Sequence, residues 1–569
     1  MFEIKAKDGL GRIGKLTIKG KSVETPTLMP VINPKRIIVS PKEMMRRFGI
    51  EILITNSYII YRSKKLKERM LKRGVHQILD FDGIVVTDSG SFQLMNYGDL
   101  EVENAEIVEF QNRIGSDVLT FLDLPTLPDE SYDKTKLDME VTLERAKEAL
   151  ELGKGCMNGT IQGSTYLDLR RRACKEMARL DFEIHPIGGM VPLLMKYRFS
   201  ELSEVILECK KNLPLSRPIH LFGAGHPMLL SFSVLLGCDL FDSAAYVLYA
   251  RDQRYLTPHG TKKLEDMRYF PCSCRICEGS SVGEVLKARE EEKIKFLTLH
   301  NLYVTFSELL KIKQAIHEGS LWELVESRIR SHPELLKAYR VLKKYKTFLE
   351  KLEPSTKRSS FQYTGRESKI RPIFFRVKKK LKRLNIQPER CFNHEFFGLV
   401  PKELSQTYPF HIYSKFVLDE VETVRRIADY QFGDGIGEKM FSDVEIKRGA
   451  TGKIRYILDE GGLLATLRPK DGHLVLTLNG ARKLHSLTSG LRVLIDKKAY
   501  PFAREGRDVF CKFVKRMDKN LRASDEVLVV YRGDELVACG KLLLSPIEVE
   551  SFERGICVKV REGIDSKKK

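Results

Sequence analysis

Between residues 51 and 243, short apolar runs rich in β-branched residues alternate with longer charged stretches. The runs are Glu51 to Ser57, Gly83 to Gly90, Asp117 to Pro125, Met157 to Gly163, His185 to Gly189, Ile219 to Gly225 and Asp239 to Ser243, and each ends in small or polar residues. An apolar run without polar alternation is the pattern of a parallel strand buried on both faces. The intervening stretches 137–152, 167–180 and 199–212 are rich in helix formers, and successive strands start about 20 to 40 residues apart. This alternation predicts an α/β architecture. Its many repeats favour a closed (β/α)₈ TIM barrel over an open doubly wound sheet, because no G-x-G-x-x-G follows the first strands.

Beyond the last run the texture changes twice. Residues 284–352 read as helical, with one long segment over 321–352, and supply the last barrel helices and a lead-out. Residues 354–360 read as a linker. They precede the run 371–383, which holds seven basic residues and no acid and is expected to contact phosphate. A mixed α+β stretch covers 385–490. Five strand-like runs separated by turn residues then end the chain, the arrangement of a small closed β-barrel. The expected domains are 1–352, the barrel; 353–425, a basic α+β domain associated with RNA; 426–490, a second small α+β domain; and 491–569, the terminal β-barrel.

Composition narrows the classes of function. A chain of 569 residues that is 42% hydrophobic and 30% charged excludes disorder as the dominant state. No apolar run approaches the ~18 residues of a membrane span, and Met1 to Lys5 lacks a signal peptide's layout, so no membrane partner and a cytoplasmic location are expected. The net charge is +21, of which +15 falls in residues 346–569. A mildly charged part joined to a strongly basic one suits an enzyme that holds a polyanion such as nucleic acid. The 11 cysteines form no regular disulfide framework, and three of them crowd into Cys272-Ser-Cys274-Arg-Ile-Cys277.

In a (β/α)₈ barrel, reactive groups sit at the C-terminal ends of the strands. Here those ends carry Asp88, Asp123, Gln162, Gly188-Gly189, Gly223 and Asp242. One Asp in such a place is usually a helix cap, but a row of them calls for another account. Two carboxylates facing one another across a barrel mouth suit double displacement at a sugar carbon. One attacks the anomeric centre, and the other protonates the departing group and later activates the incoming one. The rest suits a purine: an Asp accepts from ring and exocyclic N–H, a Gln amide and backbone N–H groups donate to a carbonyl, and Phe92 stacks. The three thiolates and one imidazole would close a tetrahedral zinc site of structural type, with His300 or His259 as the fourth ligand.

Thr87-Asp88-Ser89-Gly90-Ser91-Phe92-Gln93, Asp123-Leu124-Pro125, Gln162-Gly163, Gly188-Gly189-Met190, Asp242-Ser243-Ala244 and the Cys272, Cys274, Cys277, His300 set together resemble the tRNA-guanine transglycosylases over roughly residues 1–350. The extra C-terminal half, ending in what resembles a PUA domain, is similar to the archaeal branch, as is Ser91 where the bacterial form has a second glycine. The resemblance implies exchange of guanine at position 15 of the tRNA D-loop for 7-cyano-7-deazaguanine, in archaeosine biosynthesis. It implies Asp242 as nucleophile, Asp88 as general acid/base, and Asp123, Gln162, Gly188, Gly189 and Phe92 as the residues that hold the base. It also implies one structural Zn²⁺ per chain on Cys272, Cys274, Cys277 and His300, and a homodimer. Two other classes compete: a related enzyme performing different chemistry on tRNA, such as amidation of the inserted nitrile, and a non-catalytic RNA-binding protein. Incorporation of labelled guanine into tRNA separates exchange from binding alone.

Overall fold

The computed structural model describes residues 1–91, 102–357, 364–383, 391–394, 398–401, 419–450, 452–468 and 471–566. They divide into two compact units. The first comprises Met1–Ala6, Gly11–Ile316 and Ser327–Val341, and the second comprises Lys7–Leu10, His317–Glu326 and Leu342–Lys569.

Strands β1 (Phe2–Asp8), β2 (Gly11–Ile18) and β3 (Lys21–Thr25) form a small sheet ahead of the barrel. Eight parallel strands follow: β4 (Thr27–Ile32), β5 (Ile52–Asn56), β6 (Ile84–Asp88), β7 (Val118–Thr120), β8 (Cys156–Asn158), β9 (His185–Ile187), β10 (Ile219–Leu221) and β11 (Leu240–Ser243). Each pairs with its neighbour in the chain, and β11 pairs with β4. Parallel bridges Asn158 to Ile184 and Ile161 to Ile187 join the remaining two edges, which completes the ring expected from the sequence. Seven of its strands were legible as apolar runs. The eighth, β4, was not, because Pro30 interrupts Thr27–Ile32 and a proline inside a run ordinarily demotes it.

The helices turn apolar stripes inward. Phe199–Asn212 buries Phe199, Leu202, Val205, Ile206 and Cys209, the spacing of one helical face. At the N-terminal side of the strands, Arg12 closes a buried bidentate pair on Asp239 at 2.7 and 2.8 Å, and Asp239 accepts the Ile219 N–H at 2.9 Å. That clamp fixes the starts of β10 and β11, whose far ends carry Phe222 and Asp242.

The region read as one long helix over 321–352 is broken into Leu321–Arg328, Pro333–Val341 and Lys346–Leu352 with 3₁₀ turns between, while the long helix is Glu290–Glu318. Pro333 supplies no N–H for a continuing ladder and instead begins a new helix.

In the second unit, the antiparallel strands Glu445–Arg448, Ile454–Asp459, Gly462–Leu467 and Leu474–Leu476 pack with helices Glu420–Phe432 and Leu478–Leu487. Gly480 is required there, since a Cβ would lie 2.1 Å from the Leu464 carbonyl. A six-stranded, barrel-like mixed sheet follows, formed by Arg492–Ile495, Val509–Phe510, Val514–Met517, Glu526–Tyr531, Glu535–Leu542 and Ile556–Gly563. One apolar cluster runs from Val377 through Ile457 and Leu476 to Leu528 and Cys539.

The basic run 371–383 is helical over Pro372–Arg383 and is not uniformly available to phosphate. Arg371 is buried against Glu326 at 2.6 Å, and Arg376 against Glu350 at 2.9 Å and the Pro354 carbonyl at 2.8 Å. Only Lys378, Lys379, Lys382 and Arg383 of the seven are exposed. Guanidinium groups placed on the inner face of a helix go to buried carboxylates, which charge counting does not reveal.

Candidate active site

The strand order brings the predicted polar residues to one end of the barrel. There a cavity of about 440 Å³ is lined by Asn56 and Asp88 from the ends of β5 and β6, by Asp123, Gln162, Gly188 and Gly189 from the loops after β7 to β9, and by Phe222 and Asp242 from β10 and β11. Phe92 lies outside the described residues.

The carboxylates are supported differently. Asp88 accepts the Asn56 amide at 2.8 Å, and its own carbonyl accepts the Ser57 hydroxyl at 2.7 Å. Enclosure raises its pKa to about 7, with the charges of Asp123 and Asp242 adding to the shift and hydrogen bonds from the Gly90 N–H and Asn56 opposing it. Such a group carries a proton part of the time at neutral pH. Asp242 accepts His220 Nε2–H at 2.8 Å and the Gly223 N–H at 2.9 Å, both on Oδ1. His220 is fully buried within β10, and its ring meets Phe222 edge to face at 4.6 Å.

Asp123 is buried, accepts the Gln162 amide, and has its pKa raised by burial against opposing hydrogen bonds from Ser91 and Gln162. Gln162 Oε1 is buried without a partner among the described residues. Gly188 packs on that amide, so closely that a Cβ would lie 2.2 Å from Gln162 Nε2. The loop is pinned from below by Arg170, whose guanidinium donates to the carbonyls of Ser164 at 2.8 Å, Ile161 at 2.6 Å and Gly188 at 2.9 Å.

Three of these residues escaped the sequence reading. Asn56 stands at a strand end like the residues that were recognised. His220 interrupts the apolar run Ile219 to Phe222. Arg170 shares a helical face with Ala173, Cys174 and Met177, a charge at a core position. In Gly188→Ala the fold should survive, because the atom struck is the end of a flexible side chain, but Gln162 should leave Asp123. Base affinity is then expected to fall about 5- to 100-fold, the cost of an unmade buried hydrogen bond, and the melting temperature to fall modestly, because the buried Asp123–Gln162 bond is lost from the free protein as well. Isothermal titration with guanine reads the first quantity and calorimetry the second.

The cysteine cluster lies apart from the cavity lining. Cys272, Cys274, Cys277 and His300 place their ligand atoms all within 4.8 Å of one another. Four ligands at zinc bond lengths stand roughly 3.3–3.8 Å apart, so the set fits a tetrahedral ion after small adjustments. His300 is buried on helix Glu290–Glu318 and turns Nδ1 to the thiols, 3.3 Å from Cys277 Sγ, while its Nε2–H donates to the Leu256 carbonyl at 3.0 Å. A backbone acceptor on the far nitrogen is the usual support of a metal-binding imidazole. Tyr255 stacks on the ring at 3.5 Å. The other candidate, His259, is exposed and contacts Ser331 instead.

Comparison with known proteins spans the whole chain. The family model described as Queuine tRNA-ribosyltransferase matches residues 7–334, the patch-forming domain C2 of tRNA-guanine transglycosylase matches 422–490, and the PUA domain matches 491–564. The tRNA-guanine(15) transglycosylase of Pyrococcus furiosus is 49% identical over 578 residues, spanning 100% of this chain and 98% of its own. That of Thermococcus kodakarensis is also 49% identical, over 99% of each chain. The Methanocaldococcus jannaschii protein of the same name is 43% identical, again over 99% of each. No helix among the described residues is long and apolar enough to cross a membrane. A parallel barrel with polar residues gathered at its strand ends, matched by family models and by full-length relatives, places this chain in the tRNA-guanine transglycosylase family.

Proposed function

We propose that this chain exchanges the guanine at position 15 of tRNA for 7-cyano-7-deazaguanine, by double displacement through a ribosyl ester of Asp242. The observation that carries the reading is the pair of carboxylates in one enclosed cavity, Asp88 with a pKa near 7 and Asp242 held through one oxygen by two N–H donors. Asp242 Oδ2 attacks C1′ of the ribose as the C1′–N9 bond breaks, and the departing guanine takes its electron pair together with the proton of Asp88. In the second half, Asp88 accepts the N9 proton of the incoming base, N9 bonds to C1′, and Asp242 leaves as carboxylate. Retention at C1′ follows from two inversions. Asp123 and Gln162 suit the N–H and carbonyl edge of the base, and a bound N–H would satisfy the unpartnered Gln162 Oε1.

Mass spectrometry of tRNA treated with the protein and 7-cyano-7-deazaguanine tests the reading. A modified nucleoside at position 15 supports it. Guanine exchange without uptake of the cyano base removes the substrate assignment, and no exchange of either base removes the activity.

With this reading go tRNA and guanine as partners, a homodimer, a cytoplasmic location and one structural zinc ion held by Cys272, Cys274, Cys277 and His300. The ion would cross-link the loop 272–277 to helix Glu290–Glu318, whose His300 also holds the Leu256 carbonyl of the strand Arg254–Thr257. Its binding energy is then folding energy. Cys274→Ser should lower the zinc content below one per chain and destabilise the fold by more than about 3 kcal/mol. Metal analysis finding no zinc in folded, active wild-type protein would exclude the ion.

A further inference from the structure

At the mouth of the cavity the chain leaves apolar and aromatic side chains in water. Met195 is 75% exposed, Leu248 50% and Tyr197 48%. Met195, Leu248 and the neighbouring Tyr249 also line the cavity, so the patch is continuous with its rim. Tyr197 has φ +55°, just past the short helix Val191–Met195, where glycine ordinarily makes the left-handed turn. A bulky residue kept in that conformation is strained, and such strain gathers at functional sites. Its ring is not loose. It stacks on His332 with centroids 4.6 Å apart and planes 8° apart, and meets Phe199 edge to face at 5.7 Å. The Arg254 guanidinium lies 5.7 Å over the Tyr249 ring.

A base can enter this cavity only by leaving its stack, and its neighbours in the strand then emerge at the mouth with unstacked faces. Rigid aromatic and thioether surfaces beside a guanidinium are the composition of platforms for single-stranded nucleotides. The patch is a few side chains wide, well short of the roughly 800 Å² per partner that a stable protein contact needs, which favours a nucleotide over a second copy of the chain. We propose that Met195, Tyr197 and Leu248 form a stacking platform for the nucleotides adjoining the exchanged one, a role that rests on reading the cavity as a tRNA base-exchange site. The flanking charges are largely spent, since Lys196 and Arg198 pair with Asp129 at 3.4 and 2.6 Å. Stacking rather than phosphate attraction should therefore carry the contact.

Tyr197→Gly separates this role from a structural one, because glycine relieves the backbone, which offsets the packing lost from His332 and Phe199, and should leave the melting temperature nearly unchanged while removing the ring. With the full-length protein and a tRNA transcript, KM for tRNA is expected to rise roughly 5- to 100-fold at nearly constant kcat and unchanged salt slope, and Tyr197→Phe should retain wild-type behaviour. A 2-aminopurine beside position 15 should be quenched on binding wild type and Tyr197→Phe, and not Tyr197→Gly. Unchanged KM and unchanged quenching in Tyr197→Gly would overturn the platform. So would a Leu248→Ala variant that loses self-association in sedimentation while tRNA affinity stays intact. Wild-type protein lacking any exchange would defeat the activity reading instead, and the fluorescence comparison would still decide the platform.

Discussion

Replacing Asp242 by Ala is expected to lower base exchange by at least about 10⁴-fold, the order seen when an enzyme loses its nucleophile, while tRNA affinity stays nearly constant. Among the described residues that line the cavity, no other carboxylate is placed to substitute. Asp88 and Asp123 share the cavity, but Asp123 is engaged with Gln162, and in the proposed cycle Asp88 carries the proton. Wild-type protein mixed with tRNA and run on a denaturing gel should show a covalent protein–RNA band that Asp242→Ala lacks. Exchange persisting within about a hundredfold would take Asp242 out of the nucleophile's role. His220→Phe offers a graded companion. It removes one of the two donors to Oδ1 and should slow ester formation without eliminating it.

Asp88→Asn should behave differently, because an amide cannot relay the proton while Asp242 remains able to attack. General acid/base assistance is worth ~10²–10⁴-fold, so a loss below about tenfold counts against the assignment. The pH dependence carries a second signature. Guanine release needs the protonated acid, and with a folded pKa near 7 its rate should fall as pH rises through that value. Stability moves in the same sense. The folded carboxyl holds its proton to about pH 7, whereas the unfolded one releases it near the ordinary aspartate value of 3.8, so between these values the folded state binds more protons and stability declines as pH rises. Asp88→Asn lacks this decline. Its melting temperature relative to wild type should climb from pH 4 to pH 7 and then level off, and a flat difference would mean that the carboxyl is not shifted.

The two kinds of site differed in how much of them could be read from the chain. The cysteines were legible because three thiols in six residues are a local pattern, and spacing alone constrains them. His300 and His259 both remained possible from spacing. The choice is settled by which imidazole a helix delivers into the cluster, and Glu290–Glu318 buries His300 there while His259 stays in water. At the barrel mouth, Asp88, Asp123, Gln162 and Asp242 were legible because strand ends in an α/β repeat point to one face whatever the loops do. His220 was not, since it acts on Asp242 in the neighbouring strand, and Arg170 was not, since a charge on the inner face of a helix does not reveal which loop carbonyls it holds.

By itself, the sequence determined the alternation of buried strands and helices, the closure into a barrel, the row of polar strand ends, the thiol cluster and the basic bias of the C-terminal half. These follow from local composition and from periods of two and 3.6 residues, which act within a few turns of chain. Tertiary structure alone decided that Thr27–Ile32 is the eighth strand despite Pro30, and that Arg371 and Arg376 serve buried carboxylates. It alone set the proton affinity of Asp88, because that depends on enclosure and on the charges of Asp123 and Asp242, brought near from 35 and 154 residues away. Side-chain chemistry is written residue by residue, but the dielectric and the neighbours that tune it exist only once the strands have closed.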